Sequence, residues 1–389
     1  MPINRRDLFR AAGASAGAMF LAGCAAKAPA AAAESEAFVV PPFVAPTADK
    51  PLHLSFNENL LGMSPKAKKA AMQALSEASY YPFVACEQMR KACAAFMGGK
   101  PENIMLSHGS AESIRASIES HITPDTVLFV PALTYSDGED TAVKNGVKVV
   151  KLPMGPKWSI DIDAMRKAVA AHKGHSIVYF VNPNNPTSTI ADCAKLVAWI
   201  RSRPRNTFFV IDEAYAEYVT DPSFISCKTL VDEGLDNVCV LKTFSKIFAM
   251  AGLRLGFAYA APEVIKTIRK QVAYDVMINI VAIRAALAEI DDKVFIETSR
   301  NENTKARGIL FATLDELGIE YLPSQTNFAF MNLKAPLKPF ADRMLKERHI
   351  LVGRPFPPAL EWCRISLGTA DDMKFFCEAL RDFRKNGWV

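Results

Sequence analysis

Between residues 100 and 260 short runs rich in β-branched and aromatic residues alternate with helix-length stretches, and this alternation constrains the fold of the 389-residue chain most. The runs cover 104–107, 127–130, 147–152, 177–181, 208–212 and 238–241. Neighbouring parallel strands need a crossover of a dozen or more residues, usually a helix, and this spacing supplies it. The segment therefore reads as α/β, a mostly parallel sheet wrapped by helices. Such sheets bind ligands just past the carboxyl ends of their strands. Tyr135, Asn185, Asp212 and Lys246 follow or end four of these runs.

After about residue 285 the pattern changes to amphipathic helices over 285–296 and 304–317, with short strands near 327–331 and 363–366, which predicts a smaller α+β domain. The expected division is an N-terminal arm with part of the small domain over 51–80, a large domain over 81–284 and a small domain over 285–389. Half of the residues are apolar, enough for a large buried core. No repeat with a period of 20 to 50 residues is visible.

The N-terminus has a different character. Asn4-Arg5-Arg6-Asp7-Leu8-Phe9-Arg10 is a twin-arginine pattern followed by small and apolar residues to Gly23, and residues 1–24 read as an export signal. Its apolar run is too short to span a bilayer as a permanent helix. Leu21-Ala22-Gly23-Cys24 resembles a lipobox, with Cys24 as a lipid-anchor site, and cleavage nearby without lipidation is the alternative. Residues 25–50, rich in Ala and Pro, are expected as a flexible linker. The expected location is the periplasm, with or without a membrane tether.

The formal charge of +5 is too mild to argue for nucleic acid. Seven cysteines from Cys86 to Cys377 contain no CxxC pair and read as small core residues. His172 and His175 have no third ligand nearby and do not amount to a metal site.

The segment Lys242-Thr243-Phe244-Ser245-Lys246, followed by Ala251-Gly252-Leu253-Arg254-Leu255-Gly256, resembles the cofactor-lysine signature of class I/II pyridoxal-phosphate-dependent aminotransferases. Asn57-Glu58-Asn59, Tyr81-Pro82, Asn182-Pro183-Asn184-Asn185-Pro186-Thr187, Asp212-Glu213-Ala214-Tyr215, Asn327-Phe328 and Arg364-Ile365-Ser366 echo the histidinol-phosphate aminotransferase family. The resemblance implies an aspartate aminotransferase-like fold, with a mostly parallel seven-stranded sheet in the large domain. It also implies pyridoxal 5'-phosphate as cofactor, a homodimer, and transfer of an amino group between an amino acid, or a histidinol phosphate-like amine, and a 2-oxo acid.

The resemblance assigns Lys246 as the amine that holds the cofactor, a task that requires the deprotonated form. Asp212, ending an apolar run, can hold a pyridine nitrogen protonated. Asn185 and Tyr215 resemble the pair that binds the cofactor's phenolic oxygen, and Tyr135 the aromatic that stacks on its ring. Ser110 and Ala111 open a predicted helix over 111–120, whose N-terminal N–H groups suit a phosphate, with Thr243, Ser245 and Arg254 completing the cup. Arg364 resembles the arginine that grips the substrate carboxylate through a bidentate fork. Arg354 is a candidate for a distal anion, Asn59 lies in the substrate arm, and Tyr81 resembles a tyrosine that reaches the neighbouring subunit's phosphate.

Two positions depart from the family. Ser188 stands where a glycine is usual, and Leu60, followed by Leu61, replaces a proline after Asn-Glu-Asn. Leu61 cannot donate a hydrogen bond toward a distal phosphate. Two further readings remain open from the residues: a decarboxylase or lyase using the same cofactor, and a non-catalytic exported binding lipoprotein.

Overall fold

The structure is a computed structural model that describes residues 38–272 and 276–389. Its strands in chain order are β1 (Leu52–Leu54), β2 (Ile104–Ser107), β3 (Val127–Pro131), β4 (Lys148–Leu152), β5 (Ser176–Val181), β6 (Thr207–Asp212), β7 (Val238–Thr243), β8 (Gly256–Ala260), β9 (Phe328–Asn332), β10 (Ile350–Val352) and β11 (Trp362–Ser366). Seven of them form one sheet in the order β2-β8-β7-β6-β5-β3-β4. The strands from β4 to β7 pair in parallel, and β8 runs antiparallel to both β2 and β7. All six runs read from the sequence are strands. β8, with the sequence Gly-Phe-Ala-Tyr-Ala, was not anticipated because it contains no β-branched residue.

The central strands β5, β6 and β7 are buried at every position, as expected for strands with helices on both faces. Alternate side chains divide between two cores. Phe180, Phe209, Ile211 and Val240 belong to one, and Ile177, Val210, Cys239 and Leu241 to the other. The seven cysteines from Cys86 to Cys377 are all buried.

A further apolar cluster gathers Leu310, Met331, Ile365, Phe376 and Leu380 from the C-terminal part with Leu54 of β1. Around it β9 and β11 pair antiparallel, and β1 pairs parallel with β10. The helix expected over 285–296 is divided between two helices, Ile280–Glu289 and Lys293–Leu317. Asp292 causes the break: its carboxylate accepts the N–H of Phe295 and starts the second helix. The helix expected over 304–317 is the second half of that 25-residue helix.

Residues 38–50, the later part of the expected linker, form no helix or strand. Phe38 nevertheless lies edge-on to Phe295 at 5.0 Å, and Phe43 lies 5.5 Å from Phe375. The signal segment and Cys24 fall outside the described residues. Among the described residues no helix is long and apolar enough to cross a membrane.

Ser188 carries a φ of 63°, the left-handed conformation that glycine adopts without strain. Its N–H donates to the Asn184 carbonyl at 2.8 Å and its carbonyl accepts the Gln325 N–H at 2.8 Å, so the turn is held from both sides. Its buried hydroxyl has no partner among the described residues. Left-handed backbone costs an ordinary residue about 1–2 kcal/mol. Ser188→Gly is therefore expected to stabilise the fold by roughly 1 kcal/mol, since relief of strain exceeds the added chain entropy. A denaturant midpoint below wild type would contradict this.

Candidate active site

The carboxyl ends of β5, β6 and β7 open onto a cavity of about 630 Å³. Every residue assigned from the sequence to the cofactor or the substrate lines it except Tyr81 and Asn59. Tyr81 is 74% exposed and lies in a separate cleft with Glu77 and Arg284. Asn59 is not at the cavity. Its amide donates to the Ile247 carbonyl at 3.0 Å and to Ser299 Oγ at 3.2 Å, which fastens the arm to the segment following Lys246.

Asp212 is the last residue of β6 and is 3% exposed. One carboxylate oxygen accepts the Ala214 N–H at 3.0 Å, and the other accepts the Tyr179 hydroxyl at 3.4 Å. Burial pushes its pKa up to about 6, against the opposing hydrogen bond from Ala214. Ionised, this carboxylate calls for a cationic partner.

The Lys246 amine donates to the Asn57 carbonyl at 3.1 Å and the Phe56 carbonyl at 3.3 Å, and it lies 5.5 Å from the Tyr215 ring centroid. Asn57 also donates its side-chain amide to the Tyr215 hydroxyl at 3.2 Å. Its backbone N–H donates to Ser366 Oγ at 2.8 Å. Sequence reading gave Asn57 no separate role. Its place in the Asn-Glu-Asn motif was the available signal.

A cluster of donors lies at one end of the cavity. The helix Ser110–Glu119 follows Gly109 and presents the N-terminal N–H groups of Ser110 and Ala111. Thr243 Oγ1 donates to Ser245 Oγ at 2.9 Å, and Arg254 Nη1 donates to the Ala251 carbonyl at 2.7 Å and to Ser245 Oγ at 3.4 Å. The backbone is closely drawn in: a Cβ on Gly256 would lie 2.7 Å from the Ser110 nitrogen, and one on Gly109 would lie 2.2 Å from Arg254 Nη2. This set of hydroxyls, helix N–H groups and a guanidinium suits a phosphate dianion.

Opposite them, Arg364 is 8% exposed and donates to Asn185 Oδ1 at 2.8 Å and to the Ser55 carbonyl. Its buried Nε has no acceptor among the described residues. Burial pulls its pKa down. Arg354 is exposed and sits 4.5 Å from the Phe356 ring centroid. Tyr135 is half-buried in the wall, and burial, with Asp137 beside it, pushes its phenol pKa up. Phe56, Val181, Leu351, Val352 and Phe356 add an apolar lining that sequence reading did not anticipate.

A primary amine, a buried carboxylate and a phosphate cup within one cavity fit pyridoxal phosphate. The model of the family described as Aminotransferase class I and II matches residues 49–380. This chain belongs to that family. It is a pyridoxal-phosphate-dependent aminotransferase with the aspartate aminotransferase-like fold. It is 31% identical to the histidinol-phosphate aminotransferase of Moorella thermoacetica over 85% of each chain. Against that of Granulibacter bethesdensis it is 34% identical, over 87% of this chain and 90% of the relative. A crystal structure of a candidate histidinol-phosphate aminotransferase from Erwinia carotovora atroseptica matches with TM-score 0.88 and 45% identity, covering 90% of this chain and all of the other. The Sinorhizobium meliloti histidinol-phosphate aminotransferase in complex with pyridoxal 5'-phosphate shares the fold at TM-score 0.80 and 22% identity, over 89% of this chain and 96% of that one.

The buried carboxylate gives the aminotransferase a pH-dependent stability. Folding raises the Asp212 pKa from 3.8 to about 6, so this group imposes no ionisation penalty below pH 3.8 and the full penalty above about 6. Without cofactor, Asp212→Asn is expected to match wild type near pH 4 and to exceed its stability by roughly 1–3 kcal/mol at pH 8. Equal melting at both pH values would contradict the burial penalty.

Proposed function

We propose that the enzyme moves an amino group from an amino acid, or a histidinol phosphate-like amine, to a 2-oxo acid in a ping-pong cycle. The observation that carries this reading is the presence of Lys246, Asp212 and Arg364 in one cavity. When bound, pyridoxal phosphate supplies an aldehyde that joins amines and a ring that takes up the electron pair left by a departing α-proton. Lys246 would hold the cofactor, and its free amine would serve as the base that moves the α-proton. Asp212 keeps the ring nitrogen protonated through a charge-assisted hydrogen bond. Asn185 and Tyr215 bind the phenolic oxygen, Tyr135 covers the ring, and Ser110, Ala111, Thr243, Ser245 and Arg254 take the phosphate.

Arg364 receives the substrate carboxylate, a role supported by its unpaired Nε and its position among Asn185, Ser55 and Phe356. A carboxylate held by such a fork is retained, which favours transamination over decarboxylation. Arg354, at the cavity wall, takes a distal anion on the substrate.

The proposal extends to assembly and location. Tyr81 completes the neighbouring subunit's phosphate site in a homodimer. Met72, Leu75, Tyr80, Tyr81 and Val84 are all exposed, a concentration of apolar surface that marks an interaction face. The twin-arginine segment supports export to the periplasm, with Cys24 as a lipid-anchor site. The separate apolar cluster around Leu310 and Phe376 supports a small domain over 285–389, beside the large domain over 81–284.

The test is a matrix of amino donors and 2-oxo acids with the purified mature protein. Parallel lines in double-reciprocal plots and a keto acid formed for each amino acid made are expected. Carbon dioxide or a thiol released without a 2-oxo acid would contradict the reading. Arg364→Lys keeps a charge but loses the fork, and it is expected to raise the KM of the donor about tenfold or more. An unchanged KM would remove Arg364 from the substrate site.

A further inference from the structure

Tyr179 is fully buried in the middle of β5, and its hydroxyl donates to Asp212 Oδ2 at 3.4 Å. Phenylalanine would fill almost the same space, so what tyrosine adds here is the hydroxyl. A hydroxyl buried without a partner loses its hydration with nothing in return, and in this core Asp212 is the acceptor that the Tyr179 hydroxyl meets.

The chain makes room for this contact. The Tyr179 ring passes against Gly138, in the first turn of the helix Asp137–Lys144. A Cβ at position 138 would lie 2.3 Å from Cδ1 of the ring and 2.6 Å from Cγ. Any larger residue there would clash with the ring and shift its hydroxyl relative to Asp212. Two elements distant in sequence are thus shaped around one oxygen-to-oxygen contact.

We propose that Tyr179 is a positioning residue for the transamination, with its buried hydroxyl fixing the orientation and favouring the ionised form of Asp212, and with Gly138 as the opening that admits its ring. The inference rests on the role given to Asp212 above. The groups facing Asp212 agree with the need for such a donor. The Ala214 N–H donates to one carboxylate oxygen, the Tyr179 hydroxyl donates to the other, and Lys246 attracts the charge. Asp137, which pairs with Tyr135 and faces Arg254, repels it. Removal of the Tyr179 hydroxyl takes away a donor to the anion, so Asp212 holds its proton to higher pH.

Tyr179→Phe, Gly138→Ala and Asp212→Ala holoenzymes are compared with wild type by thermal melting, by the pH dependence of pyridoxal phosphate affinity, and by KM and the pH profile of kcat. For Tyr179→Phe the expected kcat at neutral pH falls roughly three- to tenfold, with donor KM changed less than about twofold. The acid limbs of kcat and of cofactor affinity both move up by about half a unit or more. Gly138→Ala keeps the hydroxyl but displaces it and moves both limbs in the same direction. It decides the matter if Tyr179→Phe does not fold. A lower melting temperature with both acid limbs unmoved would reduce Tyr179 to a packing residue and overturn the proposal. If Asp212→Ala keeps wild-type activity and affinity, the role of Asp212 fails. If Asp212→Ala is inactive while Tyr179→Phe and Gly138→Ala match wild type, the inference about Tyr179 alone fails.

Discussion

A carboxylate sealed at the end of a central strand is costly to ionise without a cation beside it, and Asp212 imposes that cost on the residues around it. In the proposed site the protonated ring of pyridoxal phosphate meets it. β6 is buried on both faces, so its carboxyl end is the one place where this side chain meets both the core and the cavity. Of the parallel neighbours, β5 ends level with Asp212 and β7 runs two residues further, and they deliver Asn185 and Lys246 to the same space. Stability and chemistry pull in opposite directions at this residue, a common feature of functional sites.

The cavity is assembled from parts that are far apart in sequence. Asn57 joins them through Tyr215 beyond β6, Lys246 beyond β7, and Ser366 at the end of β11. Asn327 donates to the Asn57 carbonyl at 2.9 Å and fixes the arm from the C-terminal side. Behind the cavity, buried Lys242 lies 2.8 Å from Glu217 and 3.3 Å from Glu213. Burial pulls the Lys242 pKa down, but the two carboxylates outweigh it and the net shift is upward. This group ties the end of β7 to the segment after β6. Removing Lys242 would leave two carboxylates in the interior without their cation, so the triad constrains how these strand ends align.

Much of this was legible in the sequence. The six strands declared themselves as apolar runs rich in β-branched and aromatic residues, and the residues at their ends carried the chemistry. β8 was hidden because Gly-Phe-Ala-Tyr-Ala is held as a strand by its two neighbours rather than by local preference. The break at Asp292 escaped because the apolar period continues across a cap. The wall of Phe56, Leu351, Val352 and Phe356 is a tertiary product with no local signature. Tyr179 and Gly138 were invisible for the same reason, since each makes sense only against the other and Asp212.

The central claim is that the buried anion of Asp212 holds the cofactor's ring nitrogen in its protonated form. Nitrogen-15 NMR of ring-labelled pyridoxal phosphate bound to the enzyme measures that proton directly. The account predicts a pyridinium shift that persists to pH 8 in wild type and a neutral-pyridine shift in Asp212→Ala. A neutral nitrogen in the wild-type enzyme at pH 7 would contradict it.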